Sequence, residues 1–331
     1  MRWEDRVGRR LKLRDLHILV TVLQIGSMAK AAGTLAISQP AVSKAIADLE
    51  HAVGVRLVDR GPRGVEPTHY GRALARSSVA AFDDLRQGTK EIEFLANPNV
   101  GEVRIGVSEG VAATFLPEVI NRFRQEAPGV TVHLNWAETI TQRFRVLRER
   151  QVDLLLGWVL ESFSEDEIEV EFLFEEPVVI AAGVRSRWAR RSSVEIPDLA
   201  NANWIVGPGD SDLARRVSEV LLMRGLQLPT TSVVTRSFYF REILLTTGDF
   251  VTAMPLSMAQ HFNADHLRVK ILPIDLKINA RPAAIITLRH RTLAPPAVRF
   301  IECVRKVSQS ITSRARTNSA KRRLSSPHRS A

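Results

Sequence analysis

Apolar positions along the chain change their period twice. Leu16, Leu19, Val20 and Leu23 recur at helical spacing until Gly26, which ends the run. Ser27 can cap a second helix whose apolar stripe is Met28, Ala31, Ala32 and Leu35. Ser38 offers another cap, Pro40 fits a first turn where its missing N–H costs little, and Val42, Ile46, Leu49 and Val53 face inward until Gly54. Residues 55–58 and 65–66 flank Gly61-Pro62-Arg63-Gly64, the pattern of a small hairpin with a basic tip. From Thr68 a long helix is predicted to about Leu95. Its heptad seam is Leu74, Ser78, Ala81, Leu85, Gly88, Ile92 and Leu95. A period near 3.5 points to pairing with a second helix, although Ser78 and Gly88 weaken the seam. A connector helix packed on its own head is the alternative.

At Asn97-Pro98-Asn99 the pattern becomes an alternation of short apolar runs and amphipathic stretches. Strands are expected over 103–107, 130–136 and 152–158, with helices over 115–125 and 139–150 between them. This order implies a parallel sheet with right-handed crossovers. A second set follows, with strands near 178–182, 204–207, 232–235 and 250–254 and helices near 211–224 and 238–247. Strands near 268–272 and 283–289 and a helix from Pro296 to about Ile311 complete it. Two similar α/β lobes facing one another make a cleft. The expected limits are a head over 1–70, a linker helix over 71–96, and lobes formed by 97–165 with 266–311 and by 166–265.

Composition supports folded cores: 45% of the 331 residues are apolar and 25% charged, a length for two or three domains. The lone Cys303 excludes an internal disulfide, and eight scattered His leave few metal ligands. No cofactor or metal is expected. The net charge of +10 raises nucleic acid, an anionic membrane or an anionic ligand as partners. Its distribution matters more than its size: +4 over residues 1–95, zero over 96–311 and +6 over the last twenty. The Ser- and Arg-rich tail over 312–331 has almost no apolar content and is expected to be disordered. Neither a secretory signal nor an apolar run of ~18 residues is present, so the expectation is a soluble, cytoplasmic chain with no membrane partner.

A helix-turn-helix places the first turn of its second helix against base edges in the major groove. Here that turn carries Ser38, Gln39, Pro40, Ser43 and Lys44, in a helix that is slightly acidic overall. Gln can pair with adenine, Ser with bases or phosphate, and Lys with phosphate or guanine. Free N–H groups at the capped end supply positive potential. Arg60 and Arg63 in the hairpin are candidates for backbone contacts, and Ser27 completes the DNA-facing set. Three-helix heads also serve as interaction modules. For an enzyme the signals are missing: no Gly-x-Ser-x-Gly, no Walker-type loop and no Gly-x-Gly-x-x-Gly after a strand. His261 and His266 are badly spaced for one metal. Gly207-Pro208-Gly209-Asp210-Ser211 suits an anion cradle or an ordinary capped turn. No catalytic residue is assigned. A non-regulatory two-lobed binding protein or enzyme with an accessory helical module is the alternative.

The stretch from Leu16 to Arg60, with Gly26-Ser27, Ala31-Ala32, Ser38-Gln39-Pro40-Ala41-Val42-Ser43, Leu49-Glu50, Gly54, Leu57 and Arg60, then Thr68 and Gly71, resembles the winged helix-turn-helix of LysR-type transcriptional regulators. The resemblance extends loosely to about residue 311. It implies α/β architecture with an all-α winged helix-turn-helix head, a long linker helix and a two-lobed, periplasmic-binding-protein-like effector domain. It also implies double-stranded DNA and a small-molecule effector as ligands, a homodimer or homotetramer, and RNA polymerase as a further partner. Val58 stands where Phe is usual, Lys44 where Arg is common, and Pro67 before Thr68 is unusual; these put base preference in doubt. The N-terminal extension is similar to regulators of the galactose-binding-protein and protocatechuate-pathway type, implying a sugar or an aromatic or organic acid as effector.

Ligands of open α/β lobes collect at the C-terminal ends of strands. Those ends in the first lobe are Ser108-Glu109-Gly110, Glu138-Thr139 and Gly157-Trp158; with the resemblance they suggest Ser108, Gly110 and Thr139 on the first lobe, and Gly207, Ser237 and Thr252 are the candidates on the second. Glu109 is expected to repel an anionic effector, and Arg143 and Arg236 are expected to be solvated.

Overall fold

A computed structural model describes residues 10–61, 64–158, 166–225, 233–264, 268–274, 276 and 281–324. The chain divides at Thr89/Lys90 into two compact units.

The first unit opens with α1 (Leu13–Ile25), α2 (Met28–Thr34) and α3 (Gln39–Val53). Its core joins Leu19, Val22, Ala31, Val42, Ile46 and Leu49, all buried. Gly26 and Gly54 end α1 and α3 in the left-handed region, at φ 71° and 76°, where a side chain would be strained. Strands β1 (Val58–Gly61) and β2 (Gly64–Pro67) pair antiparallel as the wing. The wing is tied to the helices at three points. Glu50 accepts hydrogen bonds from the N–H of Leu57 (2.7 Å) and of Val58 (3.3 Å), and Val65 N–H donates to Gly26 O (2.9 Å). Thr68 Oγ1 donates to Arg56 O (2.8 Å) and accepts from Gly71 N–H (3.0 Å). A Cβ on Gly71 would lie 1.9 Å from Leu57 O, so only glycine permits this approach.

From here α4 (His69–Ala96) runs into the second unit. Ser78 and Gln87 are buried, whereas Leu85, Ile92 and Leu95 of the expected seam are 55%, 69% and 73% exposed. The apolar side of its C-terminal half is therefore uncovered in a single chain.

The second unit continues with β3 (Gly101–Val107), α5 (Glu109–Thr114), α6 (Leu116–Glu126), β4 (Val130–Trp136), α7 (Ile140–Arg148), β5 (Leu154–Trp158) and β6 (Ile168–Glu176). Next come β7 (Val178–Gly183), a 3-10 turn over Ile196–Asn201, β8 (Asn203–Val206), α8 (Asp212–Met223), β9 (Val233–Val234), α9 (Phe238–Thr247), β10 (Phe250–Pro255), α10 (Leu256–Ala264) and β11 (Val269–Ile271). Finally β12 (Arg281–Leu288) and α11 (Pro295–Leu324) return to the first lobe. The sheets are ordered β4-β3-β5-β12-β6 and β11-β7-β10-β8-β9.

Three expectations are corrected. The lobe limits shift, because β6 belongs to the first sheet and β11 to the second; the chain passes between lobes at Pro177 and again between β11 and β12. Both sheets are mixed: β3 runs parallel to β4 and β5, while β12 runs antiparallel to β5 and β6. A parallel neighbour needs a long crossover on the same sheet, and strands that lead directly out of or into a lobe have none. The tail departs from expectation too, since α11 continues past Thr312 to Leu324. Ala297, Phe300, Ile301, Val304 and Val307 anchor its start on the first lobe, and extending an existing helix through Arg, Ala and Lys costs little compared with nucleating one. Residues 325–331 lie outside the described residues. Among the described residues no single helix is long and apolar enough to cross a membrane.

Candidate functional site

Two surfaces concentrate the chemistry. On the head, Ser38 is the N-cap of α3, its hydroxyl accepting from Ala41 N–H at 3.3 Å. Ser27 does the same for α2 through Lys30 N–H at 3.4 Å. With the caps in place, Gln39, Pro40 and Lys44 stand exposed on the first turns of α3, and Ser43 is half-buried. Arg60 is exposed on β1. Arg63 lies outside the described residues. The arrangement presents an amide, hydroxyls and an ammonium at the positive end of a helix, with an arginine on the adjacent wing strand.

The second surface is a cleft between the two lobes, about 930 Å³ including its open mouth. Ser108, Gly110, Glu138, Arg143 and Trp158 line it from the first lobe; Trp204, Gly207, Leu213, Arg236, Phe238, Arg241 and Pro255 line it from the second, and Glu176 sits at the crossing. Ser108 is the residue before α5 and is 4% exposed, yet its Oγ has no hydrogen-bond partner. A Cβ on Gly110 would meet Trp158 Nε1 and a ring carbon of Phe238 at 3.6 Å, an ordinary van der Waals distance, so this position lies directly against both aromatic walls.

Arg143 and Arg241 are buried, contrary to the expectation that Arg143 is solvated. Arg143 donates to the carbonyls of Ala137 (2.9 Å), Trp158 (2.9 Å) and Glu138 (3.4 Å), bracing the ends of the strands around it. Arg241 donates to Thr235 O (2.7 Å) and Ala253 O (3.5 Å), and its guanidinium carbon lies 4.7 Å from the Phe238 ring centroid. Its Nε is buried without a partner. Burial lowers the Arg241 pKa to about 10, an effect partly opposed by the charges of Glu109 and Glu138. Arg236 is not free either: its Nη2 donates to both carboxylate oxygens of Asp210 (2.5 and 2.6 Å).

The carboxylates bridge rather than repel. Glu109, expected to oppose an anion, accepts from the N–H groups of Phe238 (3.0 Å) and Tyr239 (3.3 Å) at the start of α9. Its charge is thus spent on a helix N-terminus of the opposite lobe. Glu138 accepts from Glu109 N–H (2.8 Å), and Glu176 accepts from Ser257 N–H (2.8 Å). Burial is the leading cause that holds both Glu138 and Glu176 above the usual carboxylate range.

Of the six cleft residues expected from sequence, Ser108, Gly110 and Gly207 line the cleft. The other three are not among its lining residues. Thr139 caps α7 in a capping box with Gln142, and Ser237 caps α9 through Phe240 N–H (3.2 Å). Thr252 is fully buried and donates to Ile205 O (2.7 Å). Each is a strand-end or helix-start residue with a hydroxyl bonded to the backbone, as acceptor at Thr139 and Ser237 and as donor at Thr252. The Gly207–Ser211 segment proves to be a capped turn, with Ser211 accepting from Ala214 N–H (3.2 Å). Glu138 and Trp158, at strand ends that the sequence marks as ligand-collecting, line the cleft as well, whereas Glu176, Trp204 and Arg241 were missed as cleft residues. A signal existed for Arg241: it interrupts the helical stripe Phe238, Arg241, Leu245, and a charge inside an apolar stripe needs a reason. His266 lies outside the described residues, and among the described residues no cluster suits a metal ion.

A winged three-helix head followed by a two-lobed α/β domain with a lined cleft defines a class of protein that couples a helix-turn-helix to a small-ligand domain. Residues 13–72 match the family model described as a bacterial regulatory helix-turn-helix protein of the lysR family, and residues 96–309 match the LysR substrate binding domain. The chain belongs to the LysR family. It is a DNA-binding transcriptional regulator with an effector-binding domain. Among curated relatives it is 26% identical to the HTH-type transcriptional regulator GbpR of Azospirillum brasilense, over 92% of this chain and 89% of that protein. It is 25% identical to TdcA of Escherichia coli K12, over 90% and 93%. The fold is similar to that of a full-length OxyR variant from Pseudomonas aeruginosa (TM-score 0.62, 19% identity, 90% of this chain and 95% of that one). It is also similar to CbnR (TM-score 0.61, 20% identity, 90% and 99%). CbnR has further been solved in complex with its target DNA.

Proposed function

We propose that the first turn of α3 reads an operator through Gln39, Ser43 and Lys44, with Ser38 and Pro40 setting the turn and Ser27, Arg60 and Arg63 contacting the DNA backbone. A small-molecule effector bound in the cleft at Ser108, Gly110 and Gly207 switches this binding. The observation that carries the reading is the exposed Gln39 and Lys44 beside a Ser38 hydroxyl that already caps the helix. The capped N-terminus is then pre-shaped, and its side chains are left for base edges.

The regulator acts as a homodimer or homotetramer in the cytoplasm. Exposed Leu85, Ile92 and Leu95 on α4 support helix pairing between chains. A dimer matches a two-fold DNA site. RNA polymerase is its further partner at the promoter. The curated relatives are regulators, which supports a non-catalytic role. An effector that prefers one lobe arrangement shifts the balance between them, so its differential affinity does the switching.

Selection of binding sites from a randomised duplex pool by the purified chain tests the head. Recovery of a two-fold symmetric motif is expected; enrichment of no motif would overturn the operator reading.

A further inference from the structure

The Arg241 guanidinium is 4% exposed, faces the cleft, and has no carboxylate at ion-pair distance among the described residues. Two of its nitrogens are held by the backbone carbonyls of Thr235 and Ala253, and the third, Nε, has no partner. Ser108 Oγ, buried in the opposite wall, is unpartnered as well. A buried cation with no carboxylate closer than the more distant charges of Glu109 and Glu138, and a buried hydroxyl without an acceptor, are each costly unless something supplies what they lack. Both donors are answered by one kind of group, an anion with at least two acceptor oxygens.

The other positive groups around the cleft are engaged. Arg236 is paired with Asp210, Arg143 is bonded to three carbonyls, and the N–H groups at the start of α9 are taken by the Glu109 carboxylate. Glu138 and Glu176 line the same space and oppose a second negative charge. Around these groups the walls are apolar and aromatic, with Trp158, Trp204, Val178, Leu213, Phe238 and Pro255.

We propose that the effector is a small monocarboxylate with an apolar or aromatic body, its carboxylate held by Arg241 Nε and Ser108 Oγ. This rests on the reading of the cleft as the effector site, and it selects an organic acid over a sugar. A neutral polyol would leave the guanidinium without an ion-pair partner.

Titration calorimetry of the full chain, at fixed salt, compares benzoate and hexanoate with their amides and with D-galactose. The carboxylates are expected to bind roughly tenfold or more tightly than the amides, the scale of one charge-assisted hydrogen bond. Arg241→Met should erase that preference, Arg241→Lys should restore part of it, and Ser108→Ala should weaken carboxylates more than amides, with circular dichroism confirming each fold. Amides matching the acids, or native Arg241→Met retaining the preference, overturns the proposal. Binding of galactose alone also overturns it and leaves the cleft reading standing, whereas binding of none of the probes overturns both.

Discussion

The carboxylate of Glu109, on the first lobe, accepts a hydrogen bond from the backbone N–H of Phe238, on the second, at 3.0 Å, and from Tyr239 N–H at 3.3 Å. A negative side chain of one lobe thereby caps a helix of the other, and the two lobes share the free N–H groups at the start of α9. Glu109→Ala should cost ~1–3 kcal/mol of the sensor's stability, the range for hydrogen bonds to a charged group with its partners left unmet. Glu109→Gln keeps an acceptor and should cost less. Urea denaturation of the three proteins checks the order; equal midpoints would show that the bridge contributes nothing.

Glu50 plays a comparable part in the head, joining α3 to the wing through the N–H groups of Leu57 and Val58. Glu50→Ala should destabilise the head by ~1–3 kcal/mol and lower DNA affinity indirectly by loosening β1. Thermal melting alongside fluorescence anisotropy measures both effects, and an unchanged melting point would refute the bracing role.

Gln39 is exposed on the first turn of α3 and takes no part in the cap. Gln39→Ala should weaken operator binding by ~1–3 kcal/mol and relax preference at one position, as loss of a base contact does. A uniform loss across all sequences in a binding-site selection would instead mark a phosphate or structural role.

Burial raises the Glu176 carboxyl above its ordinary value of 4.5, with the Ser257 and Leu256 hydrogen bonds opposing it. The folded state therefore favours the protonated form. The associated stability is full below pH 4.5 and is lost as pH rises through the raised folded value. Glu176→Gln imitates the protonated form and keeps an oxygen for Ser257 N–H. It should match the parent in urea at pH 4 and exceed it at pH 7; a parent more stable at pH 7 would reverse the sign.

Deletion after Thr312 removes six basic side chains and no acidic ones. Non-specific DNA affinity and its salt slope should fall while operator choice stays intact, since such contacts act through counter-ion release. Binding isotherms across a salt series read the slope, and an unchanged slope would leave the tail a solubility feature.

Much of the head was legible in the chain itself. Caps and stops act over three or four residues, so Gly26, Ser27, Ser38 and Gly54 announce their helices locally, and the structure places each at the helix end expected. Gly71 is a motif residue in the sequence, but its reason, that a Cβ there would lie 1.9 Å from Leu57 O, exists only once the wing has folded back. In the cleft the same local logic gives two readings for one residue. Thr139 and Ser237 have the chemistry of ligand contacts and the position of caps, and the nearer backbone N–H groups take their hydroxyls.

Element type, element order and the family pattern of the head are legible in the residues alone, because periodicity, capping and turn chemistry are short-range properties. Tertiary structure alone decided the mixed sheets, the lobe limits and the character of the cleft. Glu109 meets Phe238 across 129 positions of chain, and Arg241 becomes a desolvated cation only when burial removes water from it. Charge and hydroxyl are written in the sequence; their solvation and their partners are set by what folds over them.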